Sequence, residues 1–302
     1  MNSVTVSRDR RWFRVVYVPP GQSVQFSQLQ AWDPDEVRQG GWRVTIQPGV
    51  RVFGRLPEKI ARPITRGRVS VSCGSVLRNN RDGQNENPKP VWWHDVAHIR
   101  PDGSFEFASL PSGHIAQFFA YADDWVSAQP TDAAYQLLSA NYPKDTRKPG
   151  GWFRFGQVLR LVGRSQEVKL EMEQAGSVKV RCLDQNGQPS RGIIVGFSPN
   201  QIVLGGGGGL FCEHNSTRDL IEGRPQKDFF SGNPFHATSG RDGIAMVRSI
   251  PADQQSVFVG TDPWSGVDTH WGVFPEPDDA NNRITVRAGE TRELEYQLKP
   301  LN

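Results

Sequence analysis

Apolar and polar residues alternate along most of the chain in short runs, each closed by glycine, proline or a polar cluster. Residues 12–18 read as a strand stopped by Pro19-Pro20-Gly21, and residues 23–26 and 42–46 alternate in the same way. Period-two alternation sends successive side chains to opposite faces of a sheet, so such runs predict strands with one face buried. The same reasoning predicts strands at 50–53, 68–72, 91–93, 115–121, 158–161 and 167–172, and later at 178–181, 284–286 and 293–298. Phe105 and Phe107 alternate with polar neighbours and are expected in a core. One helix is predicted near 131–140, where Ala133, Ala134, Leu137 and Leu138 fall at helical spacing behind Thr131 or Asp132 as a cap. The 31 glycines and 22 prolines fall between the runs, which is the punctuation of an all-β chain.

The runs also recur in order. Arg100-Pro101-Asp102-Gly103 leads through Phe105 and Phe107 to Leu110-Pro111, and Arg241-Asp242-Gly243 leads to Ile250-Pro251 at the same spacing from Asp-Gly to proline. Upstream of each lies a strand that begins just after a glycine, Gly49 or Gly176; downstream lies one opening at Gly163 or Gly289. Asp-Gly and Asn186-Gly187 supply the positive-φ residue that a tight hairpin needs. Three matches in the same order predict two tandem copies of one β module, at 49–174 and 175–302. Residues 1–48 are too few for a full copy: they form a short N-terminal β segment, either an extra small β unit or the tail of a preceding module.

At 302 residues each module is large enough to bury its own core. No apolar run is long enough to cross a bilayer as a helix, and the first residues lack the basic-then-apolar layout of a signal peptide. The 35 basic and 32 acidic residues are interspersed, with one dense basic run at Arg8-Asp9-Arg10-Arg11, so nucleic acid is not an expected partner. Cys73, Cys182 and Cys212 show no Cys-x-x-Cys spacing; Cys182 lies in a predicted strand as a small buried hydrophobe, and one disulfide with a spare thiol is the alternative.

A first strand, then Gly187-x-Pro189-x-x-Gly192, then Asp242-Gly243 and Pro251 resembles the carboxypeptidase-regulatory-like family, within the wider group of prealbumin-like and collagen-adhesin B-type sandwiches. In the first module the corresponding residues are Pro63, Gly67, Asp102, Gly103, Phe105, Leu110, Pro111 and Gly113. The resemblance spans about residues 49–299 and rests on turn motifs. It implies two tandem Ig-like, prealbumin-like β-sandwich modules that serve as a mostly non-catalytic spacer, adhesive unit or accessory domain, bacterial and exported or at the cell surface. Adhesin-type modules can carry a Lys–Asn cross-link, whose lysine position holds Arg181-Cys182 in one copy and Phe53-Gly54 in the other, so none is expected. Intradiol dioxygenases resemble the fold but need a His-x-His on iron, and transthyretin-like hydrolases end in Tyr-Arg-Gly-Ser; neither motif occurs here.

Several clusters carry candidate chemistry. His94-Asp95-Val96-Ala97-His98 offers two imidazoles and a carboxylate to a divalent metal if the segment is helical. If it is a strand, the two histidines share a face but lie ~13 Å apart. The glycine run 205–209 lacks the Lys-Ser/Thr of a phosphate-binding loop and reads as a flexible insertion. Cys212-Glu213-His214 places thiol and imidazole on opposite strand faces. Asp123, Asp124 and Asp262, or Glu276, Asp278 and Asp279, lack the spacing of a calcium loop. Nine tryptophans are the better prospect for a ligand, because indole stacks on sugar and peptide surfaces. Trp125 and Trp264 occupy equivalent places in the two copies, which points to packing. Trp92, Trp93 and Trp271 have no such counterparts and are the binding candidates.

The expectation is therefore a non-enzymatic structural, adhesive or accessory chain with no cofactor, whose partner is a protein or a carbohydrate. The alternatives are a carbohydrate-binding module using Trp92, Trp93 and Trp271, and a metal-dependent enzyme using His94, Asp95 and His98.

Overall fold

The computed structural model describes residues 12–19, 22–31, 35, 38–40, 43–74, 92–128, 131–139, 157–199, 217, 221, 235–253, 255–261 and 283–297. Five short strands come first: β1 (Trp12–Phe13), β2 (Val16–Tyr17), β3 (Gln25–Ser27), β4 (Gln30–Ala31) and β5 (Ile46–Pro48). The pair β1-β4 stands apart, and β2-β3-β5 form a three-stranded antiparallel sheet.

The first sandwich follows. Its strands are β6 (Val50–Arg55), β7 (Gly67–Gly74), β8 (Trp92–His98), β9 (Ser104–Leu110), β10 (Ile115–Ala122), β11 (Trp125–Ser127), β12 (Gln157–Arg160), β13 (Ser165–Val168) and β14 (Met172–Gln174), with one helix, α1 (Asp132–Ser139). One layer is β13-β6-β9, in which β6 lies parallel to β13 and antiparallel to β9. The other is β14-β11-β10-β7-β8, with β12 also on β10. The second sandwich has the same plan. β15 (Gly176–Leu183) lies between β18 (Ile244–Ile250), antiparallel, and β21 (Thr291–Gln297), parallel; the facing layer is β17 (His236–Thr238), β16 (Ile194–Pro199), β19 (Gln255–Thr261) and β20 (Arg283–Thr285). The chain is all-β, two tandem β-sandwich modules behind a short N-terminal β segment.

Alternation explains the cores. Val52, Val69, Val71, Phe105, Phe107 and Phe118 point inward in the first sandwich, with the Phe107 and Phe118 rings 5.9 Å apart. Val178, Val180, Val195, Phe197 and Val247 do so in the second. The Asp-Gly turns form as expected. Gly103 (φ 86°) and Gly243 (φ 73°) adopt the left-handed conformation, while the Asp102 and Asp242 carboxylates accept the Ser104 and Ile244 amides at 3.0 Å. The strands on either side belong to different layers, β8 with β7 but β9 with β6, so each turn is a corner between sheets and not a hairpin.

One other expectation changes, and one holds. The predicted strand at 167–172 is two strands, β13 and β14, in opposite layers; the chain crosses between them past buried Leu170. The helix forms over Asp132–Ser139, and Thr131 Oγ1 accepts the Ala134 amide at 3.3 Å, so Thr131 caps it.

Candidate functional site

The residues 94–98 lie on β8, a strand. Trp93, Asp95 and Ala97 are buried, while His98 is exposed on the alternate face with His94. The pleat therefore points Asp95 away from both histidines, and the histidines keep the spacing of strand positions four apart, ~13 Å. Among the described residues no group of three or more His, Cys, Asp or Glu comes together to hold a metal. Burial holds the His94 imidazole neutral down to about pH 4, and its amide donates to Thr217 Oγ1 at 3.0 Å.

Trp93 is 3% exposed and packs edge-on against Phe26, ring centroids 4.9 Å apart. It faces the core and offers no ring surface to a ligand. The Trp92 side chain, Trp264, Trp271, the 205–209 glycines, Cys212-Glu213-His214 and the acids at 262 and 276–279 lie outside the described residues. Trp125 packs beside the first core with the Lys59 ammonium 5.2 Å from its ring, in keeping with a packing role. Cys73 and Cys182 are free, buried thiols. Burial raises both; Cys73 is pushed further by the negative charge of Asp95, and Cys182 reaches about 11. Neither is a nucleophile at neutral pH.

What the fold does bring together lies between the units. Every residue of β10 is buried. Ala116, Phe118, Ala120 and Ala122 face the first core, while Phe119 and Tyr121, on the other side of the pleat, join the core of the second sandwich. Phe119 meets Phe235 with ring centroids 6.1 Å apart. Ile115, at the far end of the same face, is covered by Ala134 and Leu137 of α1.

Polar groups close the rim of this junction. Asp123 takes a left-handed conformation (φ 46°), and its carboxylate accepts the Thr65 hydroxyl at 2.5 Å and the Arg66 amide at 3.1 Å. Its carbonyl accepts the Ser249 hydroxyl at 2.5 Å. Arg66 crosses from the first sandwich to donate to Ser249 Oγ at 3.2 Å, with its guanidinium 5.3 Å from the Tyr121 ring. Arg248 and Asp124 form an exposed pair at 3.4 Å. A single residue, Ala175, separates β14 from β15, so the last strand of one sandwich runs into the first strand of the next.

The N-terminal segment meets the first sandwich through apolar side chains with a polar groove beside them. Phe26 and Val24 enter the first core, and Gly49 alone separates β5 from β6. Beside them lies a groove of about 320 Å³ lined by Arg14, Phe26, Gln47, Ser112 and His114, among others. Arg14 donates to the Ser27 carbonyl at 3.0 Å and touches His114 Nε2. Burial lowers the guanidinium to about 10. Burial first, and the Arg14 charge second, lower His114 to about 3, so the imidazole is neutral against the cation.

Sequence reasoning missed the junction residues Phe119, Tyr121, Asp123 and Ser249. A sign was present: residues 115–122 form a nearly unbroken apolar run rather than an alternating one, as a strand buried on both faces must.

No family model and no curated protein sequence matches the chain. Among solved structures it is similar to the shaft pilin SpaA of Lactobacillus rhamnosus GG, 11% identical, covering 84% of this chain and 99% of that one, TM-score 0.24. BcpA, the major pilin subunit of Bacillus cereus, is 9% identical over 95% of this chain and 69% of its own, TM-score 0.23. The Bacillus anthracis TIE protein is 10% identical over 91% of this chain, which spans 41% of that protein, TM-score 0.22. Similarity at this level carries no residue or activity across, and the functional reading rests on the chain's own geometry.

Proposed function

We propose that this chain is a non-enzymatic structural or adhesive unit of an exported or cell-surface protein, a stiff spacer built of carboxypeptidase-regulatory-like modules. The observation that carries the reading is β10, one strand whose two faces belong to two cores. Domains joined by polar contacts move relative to one another by default. Here Phe119, Tyr121 and Val126 of the first sandwich are core residues of the second, and one residue links the strands. Bending the junction exposes those side chains at about 1.5–3 kcal/mol each. A spacer that holds a fixed distance needs such a joint. An antibody raised against the folded chain tests the location. It is expected to label intact producing cells, and labelling only after permeabilisation would overturn the assignment to the surface.

A further inference from the structure

The two junctions share one strand register. In the N-terminal segment β2 pairs β3 through Val16↔Phe26 and Tyr17↔Gln25, and β3 pairs β5 through Phe26↔Gln47 and Ser27↔Ile46. At the end of the first sandwich β10 pairs β11 through Tyr121↔Val126 and Ala122↔Trp125, and β11 pairs β14 through Val126↔Glu173 and Ser127↔Met172. The registers superpose residue for residue, with Phe26 in the place of Val126 and Tyr17 in that of Ala122. Side-chain chemistry repeats with them. Ser27 Oγ accepts the Val15 amide at 3.0 Å, and Ser127 Oγ accepts the Ala120 amide at 2.7 Å. Each receiving module answers with a serine beside a β-bulge in its first strand pair: Ser109 donates to the carbonyl of Val24, the residue just before β3, and Ser249 to that of Asp123, two residues before β11. Ser109 and Ser249 both stand two residues before the proline of the repeated Leu/Ile-Pro.

We propose that β2, β3 and β5 are the closing strands of a further sandwich unit, docked on the first module as β10, β11 and β14 dock the first module on the second. This rests on the modular reading above and extends it: the module's receiving face, latched by the serine, accepts the closing hairpin of a unit of its own kind. The exposed side of the segment agrees. Ala122, which faces its own unit's core, is fully buried, whereas Tyr17 at the equivalent position is 49% exposed. On the face that would meet the body of its own unit Tyr17 is exposed and Val15 and Gln25 are half-buried, while Phe26 on the face that meets the next unit is buried. The partner fitting that open face is the inner sheet of a sandwich of this type.

Hydrogen exchange read by segment on the full chain tests the assignment. Ser109→Ala is expected to speed exchange of residues 12–27 about 5–10-fold while leaving 115–127 unchanged, and Ser249→Ala to do the reverse, as loss of one hydrogen bond at one junction requires. Ser27→Ala and Ser127→Ala should each loosen their own hairpin by a similar factor. Tyr17→Lys should change exchange of residues 12–27 less than 2-fold, because that face is uncovered. The proposal is overturned if Ser109→Ala loosens β6 and β9 without a preferential effect on 12–27, if the two serine pairs respond in unrelated ways, or if Tyr17→Lys undocks the segment.

Discussion

Phe119 and Phe118 are neighbours in sequence whose truncation should damage different modules. Phe118 is fully buried in the first core; Phe119, 1% exposed, is packed on Phe235 in the second. Truncating a buried phenylalanine costs about 3–5 kcal/mol, the lost transfer free energy plus the cavity left behind. Phe119→Ala should therefore destabilise the second sandwich and weaken its hold on the first, while the first keeps its Phe107–Phe118 contact. For a module of this size that loss lowers the melting temperature by about 10 °C or more. The wild-type chain is expected to melt in one calorimetric transition because the cores share a strand. Phe119→Ala should split it, the early transition coinciding with loss of exchange protection at β15, β16 and β18. Phe118→Ala should instead expose β6, β7 and β9 first. If both variants lose protection in the same strands, or Phe119→Ala leaves the second sandwich untouched, the shared-core account is refuted.

Gly49→Ala should destabilise the first junction by about 1–3 kcal/mol, because an added Cβ would lie 2.3 Å from Ser109 Oγ and 2.5 Å from the Leu110 carbonyl; urea titration reads the change. Trp93→Ala should cost about 3–5 kcal/mol of stability in the same assay, as a core truncation does. Stability should also fall in mild acid. His94 and His114 have folded-state values of about 4 and about 3, below the ordinary value near 6.5, so the unfolded chain binds protons that the folded chain refuses. Their contribution is complete above pH ~6.5 and is lost as pH falls towards 3, about 2 kcal/mol per histidine by pH 5. Denaturation midpoints at pH 7 and 5 check this, and His114→Asn should remove about half of the difference.

Much of the fold was legible because local rules and tertiary structure agree. Strict alternation at Phe105 and Phe107, the positive-φ glycines of the Asp-Gly turns and the Thr131 cap are decided within a few residues. Crossings between layers are not. Residues 167–172 look like one strand because alternation persists through the crossing, and nothing local says that β13 and β14 pair with different partners. Trp93 illustrates the same limit. An indole in a short aromatic run serves equally as ligand platform or core filler, and only the pairing of β8 with β7 shows that it points at Phe26. The strand at 115–121 was legible but the junction was not, because an apolar run does not say what covers its second face: Phe119 and Tyr121 meet the second core, Phe235 among it, through residues distant in sequence.

Residual dipolar couplings of the full chain in a weakly aligning medium test the central claim most directly. If β10 welds the two sandwiches into one body, amides of β6, β7 and β9 and those of β15, β16 and β18 fit a single alignment tensor. Two tensors of different magnitude, one for each sandwich, would mean that the modules reorient independently and would contradict the stiff-spacer account.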